Sequence, residues 1–321
     1  NDICVECHQA EVNAWKASSH ATDAFAYLTK GDAAKIARKM GVASPTTEAT
    51  CLTCHATQHA AGAFEQISCE SCHNGAGDLG GKPGWMKIHS YYGKGLDPKA
   101  ADSRGKETEA NHAKRMQFCE AAGMRRSENL YALAKNCLEC HVVGSEQLVN
   151  EGGHPAGSKG FEFYAWAQGE VRHNYQADQG KNAEAPTVWT TSKFHQGRTV
   201  DGHKNLMYVL GQIADLEVSL RNRSKATAKG DFGSLAIERI EDSHDELQDL
   251  ADDNDISELK PLLDAVGKEE KSLKKFTAED ATKYGALADQ AAATAEAVSK
   301  KYNGSKWKKV KLPRRVKGDA P

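Results

Sequence analysis

The 321-residue sequence contains no apolar run near the roughly 18 residues that a membrane-crossing helix needs. It therefore offers no candidate transmembrane segment. Net charge is nearly absent too: 42 Lys and Arg against 44 Asp and Glu leave -2, which excludes a nucleic-acid binder acting through bulk charge. Alternation of apolar and polar residues never runs beyond a few positions, so no sizeable sheet is expected. The basic, apolar and small-residue regions of a secretory signal are missing from the first residues, as expected of a chain whose leader has been removed.

Cysteine is plentiful by contrast. Nine cysteines would suit a disulfide framework, but eight of them fall into four copies of C-x-x-C-H. These are Cys4, Cys7 and His8; Cys51, Cys54 and His55; Cys69, Cys72 and His73; and Cys137, Cys140 and His141. The pentapeptide is the attachment signal of c-type haem: two thiols form thioethers with the haem vinyl groups, and the following histidine places an imidazole on the iron. Zinc sites would not require a histidine straight after every pair, and a thiol–disulfide redox motif would not occur four times. Four covalently attached haem c groups are expected, with His8, His55, His73 and His141 as proximal ligands. Such haems are attached outside the cytoplasm, so a periplasmic or extracellular location follows. The ninth cysteine, Cys119, reads as a buried thiol outside the motifs.

Residues 1–202 carry all four motifs, little apolar periodicity and frequent turn signals such as Asn74-Gly75, Pro83-Gly84 and Gly152-Gly153. A mainly α, haem-cored tetrahaem cytochrome domain with short helices and long loops is expected there. From residue 203 the pattern changes. Leu206, Val209, Leu210, Ile213, Leu216 and Leu220 recur at three- and four-residue steps. Similar stripes follow over Leu235–Leu250, Ile256–Val266 and Ala281–Tyr302. The third has Pro261 near its first turn, and the fourth opens on Thr277-Ala278-Glu279-Asp280, a capping-type start. Residues 203–303 are expected to form an antiparallel helical bundle. Residues 304–321 make a basic tail, suited either to solvation or to docking on an acidic haem partner, an anionic surface or a neighbouring subunit.

Each iron needs a sixth ligand, and thirteen histidines less four proximal ones leave nine. His59 lies four residues after His55, a span of about 14 Å at full extension, with no slack to round a porphyrin. His20 follows a helical stretch that rises about 1.5 Å per residue, which carries it away from the first haem and toward a neighbouring one. His154 and His173 sit among small or aromatic residues that can approach a porphyrin. They are expected to fill haems 2 and 4, with His154 preferred for haem 2 and His173 for haem 4. His195 and His203 are reserves, while His112 and His244 read as structural or solvated.

The motif Cys4-x-x-Cys7-His8, then Trp15-Lys16-x-x-x-His20, then Cys69-Glu70-Ser71-Cys72-His73 resembles the cytochrome c554 family of multihaem cytochromes. That resemblance spans roughly residues 1–142. It implies crossed ligation, with His20 on the haem of His73 (haem 3) and His89 on the haem of His8 (haem 1). It also implies a second haem without a sixth protein ligand and a fourth haem served from downstream of its motif.

The function expected from these features is electron transfer through closely packed, mostly or all bis-His low-spin haems, without catalysis, to other redox proteins. Two alternatives stand beside it. One is a subunit of an extracellular homopolymeric filament with a haem ligand donated between like subunits. The other is a redox enzyme acting on small nitrogen compounds at an open haem.

Overall fold

The computed structural model describes residues 2–5, 8–59, 62–78, 84–90, 109–158, 160–171 and 199–318. The chain is mainly α-helical, with short helices in the N-terminal part and a bundle of long helices in the C-terminal part. The short helices are α1 Asp2–Val5, α2 Gln9–Lys16, α3 Ser19–Thr22, α4 Gly31–Lys39 and α5 Ala49–His55. A three-residue hairpin follows, β1 Thr57–His59 paired antiparallel with β2 Gly62–Phe64. Then come α6 Cys69–His73, α7 Trp85–His89, α8 Glu109–Ala121, α9 Leu130–His141 and α10 Phe163–Ala167. The bundle comprises α11 Val200–Lys225, α12 Asp231–Asn254, α13 Lys260–Lys268 and α14 Ala278–Lys301.

Local chemistry starts and stops the bundle helices. Thr199 accepts the Gly202 N–H at the head of α11. Pro261 occupies the first turn of α13, where its missing N–H costs nothing. Thr277 and Asp280 close a reciprocal capping box on α14. After α14, Gly304 adopts φ +75°, and a Cβ there would lie 2.0 Å from the Gly202 carbonyl oxygen. The turn can pass that close to α11 because it carries no side chain.

The stripe on α11 predicted one buried face, yet nearly all of its side chains from Gly202 to Arg223 are buried. The reason is a set of partners on every side: α9, α10, α12 and α14 all pack on it. Several polar residues on α11 are buried with their bonds made. Glu217, 0% exposed, accepts from Tyr131 Oη, from Lys135 Nζ at 2.8 Å and from Arg221 Nε at 2.8 Å. Arg223 donates to the carbonyls of Leu273 and Lys275, and Asn222 donates to that of Val143. Buried groups satisfied in this way cost little and fix a single register.

The packing does not break at residues 202/203. Leu130, Ala134 and Leu138 of α9 belong to the same core as Leu206, Leu210 and Ile213 of α11. The helix that ends in the fourth motif is thus a member of the bundle. Elsewhere in the N-terminal part the described apolar clusters are small: Leu28, Leu52 and Ala56 in one, and Ala76, Trp85, Met116 and Cys119 in another. Cys119 is fully buried, and its thiol donates to the Trp85 carbonyl at 3.8 Å.

The basic tail is docked. Trp307 is 4% exposed, with its ring 5.3 Å from that of Tyr302. Asn205 Nδ2 donates to the carbonyls of Gly304 and Trp307, and the Lys309 N–H donates to Asn254 Oδ1 at 3.0 Å. Truncation of this buried indole, Trp307→Ala, is expected to cost about 3 kcal/mol of stability, read as a lower urea midpoint by far-ultraviolet circular dichroism.

Candidate haem-binding site

A helix places residues i, i+3 and i+4 on one face, so C-x-x-C-H directs both thiols and the imidazole the same way. Three motifs are built like this, with His55, His73 and His141 each ending its helix, α5, α6 and α9. Ser68 caps α6 through the Glu70 N–H, and Asn129 caps α9 through the Ala132 N–H. In the first motif the His8 N–H reaches the Cys4 carbonyl at 2.8 Å, continuing the turn of α1. Cys7 lies outside the described residues.

The motif histidines are oriented through one ring nitrogen. His55 Nδ1 donates to the Ala24 carbonyl at 2.7 Å, and His73 Nδ1 donates to the Arg125 carbonyl at 2.7 Å. His141 Nδ1 pairs with Ser158 Oγ at 2.9 Å. Away from the motifs, His154 Nδ1 donates to the Pro155 carbonyl at 2.7 Å. A carbonyl only accepts, so the proton sits on Nδ1 and the Nε2 lone pair remains for a metal. Backbone carbonyls in this role are a familiar outer support of histidine ligands. Burial also disfavours the charged form of five rings: it is the main cause lowering His20, His55 and His73, and it takes His89 and His141 down to about 4.

The rings then meet in pairs. His8 and His89 have centroids 5.8 Å apart, His55 and His154 6.3 Å, and His20 and His141 5.9 Å. Two metal–nitrogen bonds of about 2 Å, with the half-widths of two imidazoles, separate centroids by roughly 6 Å. The donor set therefore fits three irons, each with an imidazole on both sides. Among the described residues no group of three or more His, Cys, Asp or Glu side chains could hold a single metal ion.

The thiols report how the motifs are ordered in space. Cys4 hydrogen-bonds Cys69, which holds the Cys4 thiol down to about 6 and pushes Cys69 up. Cys54 and Cys140 make the same contact, lowering Cys54 and raising Cys140. Burial raises both Cys72 and Cys137, whose thiols also interact electrostatically. The first motif thus adjoins the third, the third the fourth, and the fourth the second.

His89 is delivered to His8 by α7, which is held by α8 through a bond from Arg115 Nη1 to the His89 carbonyl at 2.8 Å. His154 is delivered to His55. His20, by contrast, has its ring 5.9 Å from that of His141, whereas the family resemblance implies service to the haem of His73. The backbone explains the change. Trp15 Nε1 donates to the Ile67 carbonyl at 2.8 Å, and the Ile67 N–H donates to the His20 carbonyl at 3.0 Å. His20 is therefore pinned by its main chain beside the third motif, while its ring reaches the fourth. The position opposite His141, expected for His173, is taken by His20. His173 and His195 lie outside the described residues, as does the side chain of His59. His112 lies on α8, His203 is buried on α11, and His244 Nε2 donates to the Leu263 carbonyl at 3.1 Å.

Several supporting residues carry no local sequence signal. Phe161 stacks on His141 at 4.3 Å and an interplanar angle of 6°. Its carbonyl accepts from Arg239 Nη2 at 3.1 Å, and Arg239 also pairs with the buried Asp215. Arg125, whose carbonyl orients His73, donates through Nη1 to the Cys72 carbonyl at 2.7 Å.

The family model described as cytochrome c554 and c-prime matches residues 3–74. The chain thus contains a cytochrome c554/c′-like domain over that stretch, which takes in the first three motifs and His20. The match stops before His89, the fourth motif and the bundle. No curated protein and no solved structure matches the chain. Among the described residues no helix is long and apolar enough to cross a membrane.

Burial strengthens the Asp215–Arg239 pair and makes it costly to split: desolvation raises the Asp215 carboxyl while Arg239 pulls it down. Arg239→Ala strands that carboxylate and releases the Phe161 carbonyl. The expected loss is about 3 kcal/mol, measured by urea unfolding.

Proposed function

We propose that the protein is a tetrahaem c-type cytochrome that carries electrons between redox partners in the periplasm or outside the cell. The observation that carries this is the set of three opposed imidazole pairs, each joining a motif histidine to a second histidine at the spacing of a bis-His iron. The pairs assign His8 and His89 to haem 1, His55 and His154 to haem 2, and His141 and His20 to haem 4. The iron of His73 draws its second ligand from His112, His173 or His195.

Haem, when bound, would supply one-electron chemistry at its iron. The chain's part is to aim Nε2 of His55, His73, His141 and His154 by tying Nδ1 to a carbonyl or hydroxyl. It also sets the four attachment sites in the order first, third, fourth, second, a single file with the pairs His8/His89 and His55/His154 at its ends. His154 opposite His55 favours a carrier over an enzyme, because the second haem is the position that the family resemblance would leave open. No described feature favours a filament over a discrete carrier.

Intact-mass and pyridine haemochrome measurements on the holoprotein are expected to give four haems per chain. The ferrous protein is expected to show no spectral change with CO, whereas His154→Ala should bind CO at one haem. Fewer than four haems, or CO binding by the unaltered protein at the haem of His55, would reject the assignment.

A further inference from the structure

The basic tail ends against the segment that supports His20. Beyond Trp307 and Lys309 the chain reaches α10, where the Lys317 N–H donates to the Ala165 carbonyl at 3.0 Å and the Glu170 N–H returns to the Lys317 carbonyl at 2.9 Å. Two glycines admit this crossing. A Cβ on Gly169 would sit 1.9 Å from the Lys317 carbonyl oxygen. Gly318, at φ +75°, passes so near Glu170 that a Cβ would lie 2.3 Å from Oε2.

Glu170 is 7% exposed and turns its carboxylate the other way, accepting the Ser19 N–H on Oε1 at 2.5 Å. Ser19 directly precedes His20. The ligand residue is thus held from two directions, with Glu170 on the peptide before it and the Ile67 N–H on its carbonyl. The Glu170 charge also acts on the His20 ring against the effect of burial.

We propose that the C-terminal tail is a strap that positions His20 through Glu170, so that residues at the far end of the chain set the sixth ligand of one haem. Glu170 is a positioning residue, and Gly169 is the gap through which the strap closes. The charge-assisted bond to a main-chain N–H is strong for its size. It acts one residue from the ligand, where a small displacement moves Nε2 off the iron axis. The Lys and Arg side chains of the tail serve solubility or outside contacts, while its backbone and Trp307 hold the strap. This inference rests on the assignment of His20 and His141 to one iron.

The test uses the full-length holoprotein with Glu170→Ala, Glu170→Gln and Gly169→Ala, and with His20→Ala as the reference. The readouts are haem content, CO binding by the ferrous protein and the spin state of the ferric protein. His20→Ala is expected to make one haem of the four high-spin and CO-reactive. Glu170→Ala and Gly169→Ala are expected to do the same in part, at that same haem, with four haems retained. Glu170→Gln keeps a carbonyl acceptor for the Ser19 N–H and should restore the low-spin, CO-inert state. If Glu170→Ala and Gly169→Ala match the unaltered protein while His20→Ala opens a haem, the strap has no positioning role and the ligand assignment stands. If His20→Ala leaves every haem low-spin, the ligand assignment itself fails. Should Glu170→Ala not accumulate, Gly169→Ala decides, since it leaves the carboxylate in place.

Discussion

A histidine can serve as a dependable iron ligand when its second nitrogen is already committed, and this structure makes that commitment mostly with main-chain carbonyls. Ala24, Arg125 and Pro155 hold His55, His73 and His154, while Ser158 holds His141. The consequence is that ring orientation depends on backbone position far from the motifs in sequence. Arg125 is the clearest instance, because its carbonyl sets the His73 ring while its guanidinium grips the Cys72 carbonyl. Loops that look unstructured by pattern are therefore constrained by the ligands they carry.

The bundle takes its place in the same account. Its central helix α11 is enclosed by α9 as well as by its own bundle partners, so the fourth motif is mounted on the largest described apolar core. Phe161 and the Arg239–Asp215 pair extend that packing to the face of the His141 ring. The long helices thus frame the fourth motif.

The bundle was largely legible in the sequence because its signals are local. The Thr277–Asp280 box and Pro261 each depend on neighbours within four residues, and each lies where the pattern placed it. The full burial of α11 was not legible, because Asp215, Glu217 and Asn222 look like a solvated face until Arg239, Tyr131 and Val143 are brought to them. The motifs were legible for the same reason as the caps, being fixed by i, i+3, i+4 geometry. The partner of each motif ring was not, since it depends on how separate helices lie. His20 shows the limit: spacing does not name the ring it meets, which depends on the bond of its carbonyl to the Ile67 N–H and of the preceding Ser19 N–H to Glu170. The tail's single Trp among lysines was a signal of docking, outweighed by the charge around it.

Low-temperature electron paramagnetic resonance of the fully oxidised holoprotein, with spins counted through a redox titration, tests the pairing of imidazoles most directly. Two imidazoles on every iron predict low-spin ferric signals that account for all four haems, with no high-spin component. A high-spin signal amounting to one iron per chain would contradict the account, because one of the four irons would then lack its second imidazole.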